Sequence, residues 1–300
     1  MLTRREFGAL ALSSVALPAF VRAQTVGGVR LGVQTYSFRE LPRAPGSDLV
    51  DPIIAAMKAC ELTECELWAP QIEPVSAFGR GATPEQTRSA REALRAWRVG
   101  TPLDHFRAIG RKFTSAGITL HAFNYSPNGS FSDEEINRGF EIAKALGAEI
   151  ITASATLEAA RRIAPFAETH RMVVAMHNHS NTSDPNEFAT PESFQAAMRI
   201  SRYFKVNLDI GHFTAANYDA VAYLREHHAS VTNLHVKDRK KNQGDNTPWG
   251  TGDTPIREVL QLLKRERWPI RAYIEYEHRG EAGAIEEVKT CSTFVRDALA

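Results

Sequence analysis

The run "AMHNHSNTSD" (Ala175 to Asp184) sets two histidines, His177 and His179, two residues apart where an apolar stretch turns polar. Three later runs end in the same way. "KVNLDIGH" (205–212) delivers Asp209 and His212, "VTNLHVKD" (231–238) delivers His235, Lys237 and Asp238, and "RAYIEYEH" (271–278) delivers Glu275 and Glu277. Imidazoles and carboxylates are the side chains that ligate first-row divalent cations and move protons near neutral pH. One such run says little. Four of the same design ask whether their chemistry meets at one point.

Strand alternation supplies the test, because residues two apart share a face. Val174 and Met176 oppose His177 and His179. Val206 and Leu208 oppose Asn207 and Asp209; Leu234 and Val236 oppose Asn233, His235 and Lys237; Ala272 and Ile274 oppose Glu275 and Glu277. Each run therefore turns an apolar face one way and a metal-capable group the other. Ionised Asp and Glu aimed into a protein interior need a compensating charge. One divalent cation shared by His177, Asp209, His235 and Glu275 would supply it. The competing reading is four ordinary buried polar groups, each satisfied by its own hydrogen bonds. Two imidazoles with two carboxylates suit Mn²⁺, Co²⁺, Fe²⁺ or Zn²⁺, with Mg²⁺ also open, better than a Ca²⁺ site.

The elements that must position these groups are visible along the chain. β-rich runs at 29–38, 64–70, 118–126, 148–156, 172–179, 204–212, 231–238 and 271–278 alternate with stretches of helical periodicity, and "SDEE" (Ser132 to Glu135) has capping-box spacing. This predicts a single-domain α/β fold, a (β/α)8 TIM barrel over 29–300, whose active site lies at the C-terminal ends of the strands. An open doubly wound sheet would be expected to carry a Gly-rich turn after its first strand, and "QTYSFRELPRAPG" has none. The stretch Thr83 to Arg98 lengthens the second crossover and is expected to pack outside the barrel. "WGTGDTP" (Trp249 to Pro255) reads as a flap over the site, with Thr254 capping the next helix.

With 300 residues, 43% of them hydrophobic, the chain can bury a large core, and a formal charge of +1 gives no general attraction to nucleic acid or anionic membrane. Cys60, Cys65 and Cys291 form no disulfide framework and read as packing residues. At the N-terminus, "TRREF" precedes the apolar stretch Gly8 to Val21 and then "VRAQ", the pattern of a twin-arginine export signal over 1–23, cleaved after Ala23. Retention of the segment as an anchor is the alternative. Stable membrane insertion is not expected after cleavage, and the protein is expected in the periplasm or otherwise exported.

The motifs "LGVQTYSF", "ECELW", "NLDIGH", "LHVKDR", "WGTGDTP" and "YIEYE" together resemble the xylose isomerase-like TIM barrels of the sugar phosphate isomerase/epimerase superfamily, whose members include tagatose and psicose epimerases and inosose dehydratase. The resemblance spans about residues 29–300. It implies one divalent cation, Mn²⁺ or Co²⁺ foremost, held by His177, Asp209, His235 and Glu275. It also implies a small carbohydrate substrate, a polarised carbonyl and an enediolate. Sugar epimerases of this group place Glu where this chain has His177, and "HNHSNT" is closer to the His-x-His run of inosose dehydratase-like members. That substitution removes one of two opposed bases.

Glu275 is the expected proton carrier, with His179 and Asp238 as further catalytic candidates. His212, Arg239, Glu66, Trp68, His121 and Tyr36 are the candidate substrate contacts. The reaction expected is isomerisation or epimerisation of a hydroxy-ketone or hydroxy-aldehyde sugar, with dehydration or elimination on a keto-sugar or inosose-like cyclitol as the alternative. A nuclease would need more ligands and a basic groove. A sugar-binding protein with a dead site and a homo-oligomeric state are left open.

Overall fold

The computed structural model describes residues 25–44, 46–74 and 82–300, so the export signal read at 1–23 lies outside the described residues. Eight apolar runs become parallel strands, each followed by helix, and they close on themselves. In chain order the elements are β1 (Thr25–Val26), β2 (Val29–Gln34), α1 (Val50–Ala59), β3 (Glu64–Trp68), α2 (Pro84–Gly100), α3 (Leu103–Ser115), β4 (Thr119–Asn124), α4 (Asp133–Leu146), β5 (Ile150–Ala153) and α5 (Leu157–His170). They continue as β6 (Val174–His177), α6 (Pro191–Ile200), β7 (Phe204–Asp209), α7 (Ile210–Ala215), α8 (Ala220–His227), β8 (Val231–Val236), α9 (Ile256–Glu266), β9 (Arg271–Ile274) and α10 (Ala284–Leu299). Strands β2 to β9 pair in sequence order, and β9 returns to β2 through Leu31↔Ala272 and Val33↔Ile274. The result is a single-domain parallel eight-stranded α/β barrel.

Every strand ends sooner than its run of β-forming residues. Polar groups such as His179, His212 and Asp238 thereby fall just past the ladder at the mouth, His212 in the short helix α7 and the other two in loops. The outer wall follows from helical periodicity. In α9, Ile256, Val259, Leu260 and Leu263 recur on one face and are all buried. The capping box at the start of α4 is present: Ser132 Oγ accepts from Glu135 N at 3.2 Å and Glu135 Oε2 from Ser132 N at 3.0 Å. Helix α9, by contrast, starts after Pro255 without a side-chain cap, because Thr254 Oγ1 accepts from Arg239 N at 3.0 Å instead.

The extra helix α2 packs outside the barrel against α4. Arg98 fastens it. Its guanidinium donates to both oxygens of Glu73 at 2.7 and 2.9 Å and to Glu135 Oε1 at 3.2 Å. All three side chains are buried.

The barrel interior is polar and layered. At the N-terminal end, the floor, Glu64 accepts from Arg271 and Tyr273 at 2.8 and 2.9 Å and pairs with Arg30. Gly32 is required there, since a Cβ would lie 2.6 Å from both Glu64 O and the Tyr273 ring. Halfway up, Glu66 Oε1 accepts from Gln34, Asn124 and Thr152 at 2.5, 3.1 and 2.6 Å, while Oε2 meets Asn233 Nδ2 at 3.1 Å and His235 Nε2 at 3.0 Å. The three cysteines are free and buried, and burial raises the Cys60 thiol to about 11.

Candidate metal centre

The last inward-facing residues of β6, β7 and β8, with the first residue past β9, converge at the mouth. His177, Asp209, His235 and Glu275 each present one ligand atom, and these atoms lie within 4.8 Å of one another. All four residues are buried. His177 Nε2, Asp209 Oδ2, His235 Nδ1 and Glu275 Oε2 lack any hydrogen-bond partner. Buried polar atoms are rarely left so, and four orphans facing each other is the pattern expected of a cation site. Ligands bonded at about 2.0–2.2 Å lie within about 4.4 Å of each other, so a slight contraction lets one cation reach all four.

Their other atoms are already engaged, which fixes the orphan in place. His177 turns Nδ1 to Ser154 Oγ at 3.3 Å, leaving Nε2 to the cluster. His235 turns Nε2 to Glu66 Oε2 at 3.0 Å, leaving Nδ1. A ring nitrogen held by a carboxylate fixes tautomer and orientation of a ligating histidine. Asp209 Oδ1 caps α7 by accepting from His212 N at 2.6 Å, leaving Oδ2. Asn178 clamps the Asp209 backbone on both sides, accepting from its N at 2.9 Å and donating to its O at 3.1 Å.

Charge is balanced locally. Lys237, buried, holds its ammonium 2.9 Å from Asp209 Oδ2 and 2.8 Å from Glu275 Oε2, at ion-pair distance but off the hydrogen-bond angle, and donates to Glu277 Oε2. Burial alone would raise the Asp209 and Glu275 carboxyls. Lys237 together with His212 and His177 outweighs it for Asp209, and His235 with Lys237 for Glu275, so both are held well below the ordinary carboxylate range. Burial would likewise depress the His235 imidazole, but Glu275 and Glu66 on its two nitrogens raise it well above the ordinary value. His212 is the opposite case: burial and then Lys237 push it well down, so it is neutral.

The remaining candidates separate by height along the barrel axis. His179, Trp68, Tyr36 and His212 line the pocket above the cluster. His179 keeps 45% side-chain exposure, yet surrounding atoms, then His177 and Lys237, push its imidazole down to about 4. It is not among the four clustered residues. Arg239 does not line the pocket; it donates to His212 Nδ1 at 2.6 Å and to Gly244 O, and so orients the histidine.

Besides Arg239, three residues expected at the substrate or the chemistry lie elsewhere. Glu66 is fully buried beneath the cluster, its oxygens saturated by five neighbours. His121 faces inward but near the floor, 3.2 Å from Glu149, whose carboxyl it holds down at about 2. Asp238 organises the 247–254 loop, accepting from Gly250 N, Gly252 N and Thr254 N at 2.8, 2.9 and 3.2 Å. That loop is pinned by Asp238 and none of its residues lines the pocket. Lys237 and Glu277, absent from the candidate list, do line it. Their signal was present: each stands two residues beyond a ligand on the same strand face.

Comparisons with known proteins agree with this geometry. No curated protein matches the chain. Solved structures share the fold, among them a probable 3-DHS dehydratase from Bacillus anthracis (14% identity, 87% of this chain and 98% of that chain, TM-score 0.61). A second is the IolI protein with a bound zinc atom (15%, 90% and 97%, TM-score 0.61). A third is 3-keto-D-glucoside 4-epimerase from E. coli (12%, 90% and 99%, TM-score 0.61). At such identities the likeness is one of fold. The sequence itself, over residues 90–294, matches the xylose isomerase-like TIM barrel family, and with four ligand-type residues gathered at the mouth of a closed eight-stranded barrel, the chain belongs to that family.

Proposed function

We propose that the protein is an exported, divalent-metal-dependent carbohydrate isomerase or epimerase acting on a hydroxy-ketone or hydroxy-aldehyde sugar. The observation that carries this reading is the set of four orphaned ligand atoms facing one another inside a sugar-sized pocket. A divalent cation held by His177, Asp209, His235 and Glu275 would supply Lewis-acid polarisation of a carbonyl and acidify the adjacent C–H.

The chain's own residues divide the remaining work. Glu275, kept ionised by its cationic neighbours, accepts the proton from the carbon beside the carbonyl. Lys237 Nζ, anchored by Glu277, is a preorganised donor to the oxygen on which negative charge develops. His179 and His212, both neutral, hold substrate hydroxyls and leave no extra positive charge at the pocket wall. Trp68 and Tyr36 close the opposite side and exclude water.

One observation favours elimination as the second reading. The charged acid/base groups, Glu275, Lys237 and Glu277, gather at the ends of β8 and β9, while the β6 position holds His177 rather than a second carboxylate. A one-sided arrangement serves proton removal and departure of a neighbouring hydroxyl better than inversion at one carbon. Incubating a panel of keto-sugars with metal-loaded protein and weighing the products decides the matter. Isomerisation or epimerisation conserves mass and exchanges one carbon-bound hydrogen with deuterated solvent. Loss of one water would establish the lyase, and no turnover with metal bound would overturn both.

A further inference from the structure

The pocket above the cluster holds only about 180 Å³. Small-molecule sites run to about 300–1,000 Å³, so this chamber accommodates the reacting end of a ligand and little more. Next to it opens a second cleft of about 610 Å³, with Trp68 forming a wall of both. The walls of the two chambers are also in direct contact. Trp68 packs edge-on against Tyr36 of the inner pocket at 4.8 Å, and Arg39 of the outer cleft stacks over the same tyrosine at 4.7 Å. Ser126 of the cleft accepts from the backbone of Ser154, which lines the pocket, at 2.9 Å.

The outer cleft is strongly basic. Among the described residues, Arg39, Arg43, Arg91, Arg95 and Arg98 line it against two carboxylates, Glu73 and Glu135, and both of these are taken up by Arg98 and Arg95. Arg43 spends its donors on the backbone carbonyls of Ser47, Pro70 and Glu73 and makes no ion pair within 4.0 Å among the described residues. Arg91 is exposed on the cleft-facing side of α2. The positive field therefore reaches the open part of the cleft, where an arriving acidic group would meet it.

We infer that this cleft is the subsite for the second unit of a glycosidically linked substrate, seated beyond Trp68, and that a carboxylate on that unit strengthens binding. The inference rests on the sugar-processing reading of the inner pocket. The reacting ring occupies the 180 Å³ chamber, the glycosidic bond passes the Trp68 edge, and the outer ring lies among the arginines.

Calorimetry on the metal-loaded protein with glucose, cellobiose and cellobiouronic acid tests it. Affinity is expected to rise at least tenfold from glucose to cellobiose and again to the uronic disaccharide. Leu94→Trp, which fills the cleft from α2, is expected to bring the cellobiose-to-glucose ratio close to one. Arg91→Glu, at an exposed position where folding is not at risk, is expected to erase the gain from the carboxylate; an unchanged metal content shows that the barrel is intact. Equal affinities for all three sugars, or variants that keep the wild-type ratios, overturn the cleft assignment alone. A protein that binds metal and none of the three overturns the sugar reading beneath it.

Discussion

His235 lies between two carboxylates, Glu275 at 3.3 Å on Nδ1 and Glu66 at 3.0 Å on Nε2, and its imidazole is correspondingly basic. A cation can take Nδ1 only if that nitrogen gives up its proton, so loading is coupled to proton release. Metal titrations in buffers of different ionisation enthalpy should report release of about one proton at neutral pH, and affinity should fall as pH falls. Without metal, a raised histidine contributes stability that is complete below its unfolded value of about 6.5 and is lost as pH rises through the folded value. The gap in melting temperature between metal-loaded and metal-free protein should therefore widen from pH 6 upward; a constant gap would contradict it. Glu66→Gln leaves the packing in place but weakens the hold on Nε2. It should cost about 10–100-fold in metal affinity, read by competition with a chromogenic chelator.

Helix α2 is fastened through the buried guanidinium of Arg98, with Arg95 adding a second, more exposed hold on Glu135. Arg98→Met leaves Glu73 and Glu135 buried without their shared cation, and a broken buried pair costs about 3–5 kcal/mol. Urea denaturation should show a loss of that size, whereas Arg107→Ala, an exposed pair with Asp104, should change little. The eight strands, the position of α2 and the convergence of His177, Asp209, His235 and Glu275 were legible in the sequence, because alternation over a half-apolar strand assigns a face without knowledge of neighbours. Height along the axis was not. Glu66 and Trp68 share the inward face of β3, yet one lies beneath the cluster and one at the mouth, and His121, the extra residue where β4 bulges opposite Cys65 and Glu66, sits near the floor out of step with inward Asn124, since stagger and bulges are properties of strand pairs. Direction also fails where the ladder stops. Asp238, two residues past β8, turns to the 247–254 loop rather than the pocket, while Lys237 beside it keeps the inward course. No local pattern separates those two fates.

As a whole, the molecule gathers its metal-type side chains at the mouth and an Arg30–Glu64–Arg271 ion-pair layer at the floor, with the Glu66 network between them. Because the metal-competent geometry is built from four different strands, a cation that binds only the folded state stabilises the entire barrel. At a free concentration one hundred times its dissociation constant the gain is about 2.7 kcal/mol. Scanning calorimetry with and without a chelator should show the matching shift, and His177→Ala should abolish it. Among the described residues, no helix is long and apolar enough to cross a membrane.

The short strand β1 runs antiparallel to the start of β2, through Thr25↔Arg30 and Val26↔Val29, and the turn between them rests on Leu299 at the floor. Thr25 thus lies at the end remote from the pocket. Immobilising a form that begins at Thr25 through that residue would present the pocket to the flowing solution, so the proposed sugar capture can be followed on a surface without shielding the entrance.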